Sequence, residues 1–374
     1  MGEQIKEENK ESIGTHALPA CPLCGCEGTS VHTEMFDRMF KAPGKWSMSK
    51  CDNSSCGLLW LNPMPNDDEL WKIYVEYYTH GSEGKYTFDF IRKIENKYYE
   101  LAYGYKNLEK PSSPLPGFIV NLFPTEKSEL DFRILGLDAK EGGKMLDIGC
   151  GNGHLIKRLM KMGWDVEGMD FDPVAVEYCN SQGLNAKAGD FFELNYPSNY
   201  YDAVTMSHVV EHVPDPAKTL KEIFRILKPG GKVVMATPNS DSWMYTDLFQ
   251  GDWLSLHPPA HIHIFNLDNL GKAVTDAGFK LETAATTIRN DGWVYAVSKM
   301  LKRNNRFAFG TEKPSKPLII KGKLMQLMGW FKLGMDNKSG GELYIKGMNI
   351  PEYKQSYTHE TLRDRKVLMK KKEL

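Results

Sequence analysis

One stretch limits the fold more than any other: MLDIGCGNGHL, residues 145–155, where a short apolar run closes on Asp147 and is followed by glycines 149, 151 and 153. An apolar strand that breaks at a glycine turn and passes into a helical pattern belongs to a parallel sheet, buried on both faces by crossover helices. The alternation continues. KMLDI reads as a first strand, and GHLIKRLMKM as a helix with Leu155, Ile156, Leu159 and Met160 on one stripe. DVEGMD is a second strand, after which Asp172 caps a helix with Pro173 at its first position. LNAKAGD and DAVTMS are strands three and four. DPAKTLKEIFRILKPGG is a helix opened at Asp215-Pro216, striped by Leu220, Ile223, Phe224 and Leu227, and closed by Pro229 and Gly230. KVVMATPN is strand five; KLETAATT and GELYIKGM close the set. The pattern predicts an α/β, Rossmann-like fold with a seven-stranded doubly wound sheet.

Sheets of this kind take ligands at the carboxyl ends of their strands, where the glycine turn lies. A nicotinamide dinucleotide wants G-x-G-x-x-G, but here His154 stands in place of the third glycine. Asp147, just before the turn, would repel a pyrophosphate. The arrangement suits a ligand that presents an ammonium and a sulfonium.

Of seven cysteines, Cys150 and Cys179 fall inside predicted regular structure, and the odd number argues against a disulfide framework. The other five crowd into residues 21–56. Cys21 and Cys24 in CPLCG, with Cys51 and Cys56 in CDNSSCG, form two close pairs suited to a tetrahedral zinc ion, and Cys26 is a spectator. Four protein ligands leave no open position, so the metal is expected to support folding rather than chemistry.

Five segments in order, LDIGCGNGHL, GMDFDP, AGDFFEL, YDAVTMSHVVEHVPDP and ILKPGGKVVMATPN, resemble the successive motifs of class I S-adenosylmethionine-dependent methyltransferases. Outside them, CPLCG…CDNSSCGLLWLNPMP and WLSLHPPAHIHIFN resemble a bacterial subgroup with an N-terminal zinc ribbon, whose members modify sugars, surface glycans and other small metabolites. The resemblance implies S-adenosyl-L-methionine as cofactor beside zinc. Asp147, Gly149 and Gly151 would cradle its methionine end, with Gly153 letting the helix approach. Asp170 would accept from the ribose hydroxyls, Phe171 pack on the adenine, Asp190 meet its exocyclic amine, and the Phe191 backbone lie at the ring edge. Because Asp172-Pro173 already fills the helix cap, Asp170 is left for binding.

Methyl transfer is an in-line displacement at a sulfonium methyl, gained largely by alignment and exclusion of water. A hydroxyl or activated-carbon acceptor must also lose a proton, so a base is expected beyond strand four. His208, Glu211 and His212 in SHVVEH stand there as the catalytic candidates, with 208 and 212 spaced to share a helical face if the turn is helical. In related sugar methyltransferases the Glu-His pair contacts the acceptor; in quinone-pathway enzymes the stretch opens with a glutamate and can bind a divalent metal. His208 in that first position weakens a magnesium reading, since hard cations prefer oxygen. His257, His261 and His263 are expected to line the acceptor pocket or else to be buried rings that anchor the loop, with 261 and 263 on one side; Ala260 replaces an arginine common in the subgroup. Tyr77, Tyr78 and Tyr86 fit core packing better than a grip on substrate.

The organisation expected is a disordered tail over 1–20, a zinc ribbon over 21–65, a helical linker or lid over 66–137, the Rossmann-like methyltransferase domain over 138–350 with a helical insertion at 290–340, and a basic tail over 351–374. That insertion is expected to cap the acceptor site by core packing, or else to rest on a membrane surface; residues 318–334 carry too many lysines to span one. With 25% charged residues and a net charge of −1, no global basic field draws the chain to nucleic acid or anionic lipid. A cytoplasmic enzyme methylating oxygen or carbon of a small molecule, a sugar or glycan unit first, is the expectation. A quinone-like or lipid acceptor is the alternative, and a nucleic-acid methyltransferase a more distant one.

Overall fold

A computed structural model of the chain describes residues 12–74, 89–106, 108 and 115–350. Tyr77, Tyr78, Tyr86 and the basic segment 351–374 lie outside them. The N-terminal part carries β1 (Thr15–His16), β2 (Gly28–Met35), β3 (Trp46–Cys51), β4 (Leu59–Leu61) and β5 (Met64–Pro65). The remaining strands are β6 (Lys144–Ile148), β7 (Asp165–Asp170), β8 (Asn185–Ala188), β9 (Tyr201–Ser207), β10 (Leu227–Pro238), β11 (His263–Ile264), β12 (Phe279–Thr287) and β13 (Glu342–Asn349).

Seven of them form one sheet in the order β12-β13-β10-β9-β6-β7-β8. The five strands from β10 to β8 are parallel, and β13 enters antiparallel between β10 and β12. From β6 the chain winds outward through β7 and β8, then returns to lay β9 on the other side of β6. The order reverses there, opening a crevice at the strands' carboxyl ends. Asp172 accepts from the Val174 amide at 2.9 Å and Asp215 from that of Lys218 at 2.8 Å, capping the helices that follow β7 and β9.

Three details differ from the sequence reading. The helix after β6 buries Ile156 and Leu159 but leaves Met160 exposed, so its inward stripe is narrower. The helix Pro216–Ile226 stops before Leu227, which already belongs to β10; Pro229 disfavours helical backbone at the residue before it and hastens the exit. Part of the expected N-terminal tail is also tied down. Thr15 and His16 pair with Pro65 and Met64, while the Trp60 indole donates to the Leu18 carbonyl at 2.9 Å.

The cysteine-bearing segment folds as β2-β3-β4 and takes β11 as a fourth strand, His263 opposite Trp60 and Ile264 opposite Leu59. One apolar cluster accordingly runs from Trp46 and Trp60 through Phe265 to Met206 and Ile148. Helices Asp291–Asn304 and Lys316–Met335 pack against each other between β12 and β13.

Candidate active site

The turn after β6 is built from left-handed backbone: φ is +70° at Gly149, +51° at Gly151 and +73° at Gly153, a region only glycine adopts without strain. Each glycine faces something different. A Cβ on Gly149 would lie 2.4 Å from Val209 Cγ2, and one on Gly153 would lie 2.5 Å from Leu184 Cδ1. Beside Gly151 there is open space. The Gly151 amide donates to Asp170 Oδ2 at 2.8 Å, and the Asp172 amide to Asp170 Oδ1 at 3.0 Å.

Asp147 and Asp170 are both buried. Asp147 accepts from the Thr205 hydroxyl at 2.6 Å, and burial pushes its carboxyl up to about 7. Burial raises Asp170 as well. Among the described residues neither carboxylate has a salt bridge to lysine or arginine, so a cationic ligand at the open side of Gly151 would relieve both. The residues therefore fit an ammonium- and ribose-bearing cofactor. Phe171 is half exposed, with the Tyr74 ring 4.8 Å away edge to face. Asp190 is exposed and receives the Phe192 and Glu193 amides at 2.7 and 3.2 Å, while Phe191 is buried beside Tyr196.

Past β9 the chain makes no α-helical turn over SHVVEH, so the condition for a shared face is not met. His208 takes φ +56°, a costly conformation for a non-glycine residue, and only Val210–His212 forms a single 3₁₀ turn. The two histidines therefore part instead of sharing a face. His208 reaches Glu211 Oε1 at 3.4 Å through Nδ1 and Glu342 Oε1 at 3.1 Å through Nε2. Burial works against its charge, but the two carboxylates outweigh that and raise it to about 10. His212 turns the other way. Its Nδ1 lies 2.7 Å from the Ala260 carbonyl and 3.0 Å from the Tyr74 hydroxyl, and burial lowers it. Glu211 is fully buried, takes the Thr237 hydroxyl at 2.9 Å, and is brought down to about 2 as His208, His212 and His261 overcome burial.

Beyond His208 opens a cavity of about 260 Å³. Its polar lining includes His208, His257, His261, Asn290, Asp291 and Glu342; Phe40, Leu254, Trp293 and Phe309 supply apolar walls. His261 donates through Nδ1 to the Ser255 carbonyl at 2.7 Å, and burial drops it to about 4. His263 does not line the cavity, contrary to expectation: His263 belongs to β11, on the edge of the ribbon sheet, against the ring of Phe265. The sequence reading missed Glu342, Asp291 and Arg289. Glu342 takes the Arg289 guanidinium at 2.9 and 3.2 Å and is held at about 2, with His208 and Arg289 overcoming burial. Arg289 in turn lies 3.5 Å from the Phe132 ring centroid. Burial raises Asp291 to about 7. One signal was available: an acid opening an otherwise apolar strand, Glu342 in GELYIKGM.

Among the described residues two donor groups could hold metal. Glu211, His212 and His261 bring one donor atom each within 4.8 Å, although His208 already offsets the Glu211 charge. Cys21, Cys24, Cys51 and Cys56 likewise converge, with Cys21 Sγ 3.7 Å from Cys56 Sγ and Cys24 Sγ 3.4 Å from Cys51 Sγ. Sulfurs held tetrahedrally at a zinc bond length stand about 3.8 Å apart, so the cluster needs only to breathe slightly. Cys26 stays outside it, near Asn53.

Residues 128–284 match a family model described as a methyltransferase domain. This segment is similar to a methyltransferase domain. Over 163 residues the chain is 32% identical to a sterol 24-C-methyltransferase of Aspergillus fumigatus, covering 41% of this chain and 40% of the relative. Over 125 residues it is 34% identical to a ubiquinone biosynthesis O-methyltransferase of Acinetobacter baumannii, covering 30% and 53%. The chain thus spans about half the length of the curated relatives it matches. A solved methyltransferase from Archaeoglobus fulgidus aligns at 19% identity and a TM-score of 0.42, over 62% of this chain and 98% of that one. The methyltransferase domain accounts for the glycine turn, β6 to β10 and the 208–212 turn, while the cysteine cluster and most of the cavity's far wall lie outside the matched segment.

Proposed function

We propose that the whole chain is an S-adenosylmethionine-dependent methyltransferase acting on oxygen or carbon of a small molecule, with a sugar or glycan unit as the first candidate. The observation carrying this reading is that the 208–212 turn lies between two half-sites: Val209 packs on Gly149 of the glycine turn, while His208 lines the cavity. S-adenosylmethionine, when bound, supplies a methyl group already activated on a sulfonium. Asp147, Gly149 and Gly151 would hold its methionine end and Asp170 its ribose, with Phe171, Asp190 and Phe191 around the base.

The chain's own groups then act on the acceptor. His208, cationic with both ring nitrogens turned to Glu211 and Glu342, sets a positive charge in the cavity wall that would draw an acceptor oxygen, while Glu342 beside it can accept from an acceptor hydroxyl. His261, neutral with Nδ1 tied to Ser255, keeps Nε2 as a proton acceptor; His212 stands beside it, ring centroids 4.9 Å apart. Glu211, fully buried, is a positioning residue that acts through His208. Polar groups below aromatic walls suit a hydroxylated ring, and about 260 Å³ suits one or two such units. A quinone-like or lipid acceptor is the second reading, favoured by the names of the relatives. Zinc in the four-cysteine cluster would hold the ribbon and, through Met39 and Phe40, one wall of the cavity.

Purified full chain should be melted with S-adenosylhomocysteine and with NADH, then incubated with labelled S-adenosylmethionine and a panel of sugars, nucleotide sugars and quinols. S-adenosylhomocysteine at a hundred times its Kd should add about 2.7 kcal/mol of stability, with none from NADH. Stabilisation by NADH alone would overturn the reading.

A further inference from the structure

We propose that the helix Lys316–Met335 lays an exposed apolar stripe, edged by lysines, onto an anionic lipid surface. This goes beyond the methyl-transfer reading and does not depend on it. Ile320, Leu324, Leu327, Met328, Phe331 and Met335 are all exposed, and at 100° per residue they fall within about 100° of one another. Lys316 and Lys323 border that stripe on one side and Lys321 on the other, all three exposed. The helix contains no acid. Its opposite face is locked inward. A Cβ on Gly322 would lie 2.2 Å from the Gly292 carbonyl oxygen, and one on Gly329 would lie 3.0 Å from Asp291 Oδ2. Gln326 donates to the Ile288 and Arg289 carbonyls at 2.9 and 2.7 Å. The stripe therefore points outward by construction.

Charge selects the occupant. Residues 299–332 hold nine lysines and arginines against Glu312 alone, in a chain whose net charge is −1. Lys332 pairs with Asp247 and Arg306 with Glu312; the other seven have no salt bridge among the described residues. A second copy meeting this face would set lysine edges against lysine edges with no acid between them, whereas anionic headgroups satisfy the edges while acyl chains receive the stripe. No described helix is long and apolar enough to cross a membrane, so the helix lies in the interface plane.

The test is co-sedimentation of the full chain with vesicles of phosphatidylglycerol and phosphatidylcholine in equal parts, against pure phosphatidylcholine. At least tenfold more protein is expected with the anionic vesicles, less as salt rises. The triple change Lys316→Gln, Lys321→Gln and Lys323→Gln should weaken binding about a hundredfold. Leu324→Ser with Phe331→Ser should abolish it while preserving the melting temperature and the response to S-adenosylhomocysteine. Trp330, exposed beside the stripe, should be quenched by brominated acyl chains, a loss of signal that Trp330→Phe removes. Equal sedimentation with both vesicle types would overturn the proposal. So would a concentration-dependent dimer, without vesicle binding, that Leu324→Ser and Phe331→Ser dissolve.

Discussion

Gly151 and Gly153 share a backbone conformation but not a neighbourhood, and substitution separates their roles. Gly151→Ala meets no atom within 4 Å, so it should cost only the left-handed strain, about 1–2 kcal/mol. Cofactor affinity, read from the melting shift with S-adenosylhomocysteine, should nonetheless collapse. Gly153→Ala drives a methyl into Leu184 and Cys179 and should lose more stability than binding. If both variants lost stability alone, the open side of Gly151 would not be the ligand side. His208 gives a pH signature. Its folded value, about 10, exceeds the unfolded 6.5, so its attraction to Glu211 and Glu342 stabilises fully below about pH 6.5 and fades as pH climbs through 10. The melting gap between wild type and His208→Gln should be widest in mild acid and shrink toward pH 10; calorimetry showing a gap that widens with pH would contradict this. At this scale Asp147, the glycines and Asp170 were legible because one local turn gathers them. Glu342 was not, since it reaches His208 from 134 positions away and its local sequence reads only as a strand.

At the scale of elements, β6 and β7 were legible to the residue and β9 nearly so, because short, largely buried runs are bounded by glycine and proline breaks. What escaped was pairing. HIHIF reads as a loop entering a strand, but nothing local says that β11 joins β4 of the ribbon. The seam has a polar clasp: Asn266 and Asn269 cap the helix Leu267–Asp276 reciprocally, and both amides donate to the Cys56 carbonyl, at 3.0 and 2.8 Å. Asn266→Ala should therefore cost about 1–2 kcal/mol for the cap alone, measurable in denaturant, and more for its lost bond to the Cys56 carbonyl, which then keeps Asn269 alone. The helix Lys316–Met335 escaped differently. Its apolar content suggests core, but Gly322 and Gly329, with Leu318 and Met325, make the inward contact, and most of its large side chains face out.

For the whole molecule, the ribbon and the methyltransferase domain share one apolar cluster and one four-stranded sheet, and ion pairs such as Arg38 to Asp252 at 2.8 Å cross between them. Metal removal should thus not stay local. Chelation, or Cys51→Ser, is expected to lower the melting temperature as one transition and to speed amide exchange over 263–276, checked by mass spectrometry against the untreated chain. Exchange confined to residues 21–56 would mean that the two parts are energetically separate. The β4–β11 pairing also bears on synthesis. β4 leaves the ribosome about 200 residues before its partner, which at ordinary elongation rates is a wait of about 10–40 s. Throughout that interval the nascent chain exposes an unpaired backbone edge beside Trp60, and early capture of an ion by the four thiolates is what would keep that edge in register until its late companion arrives.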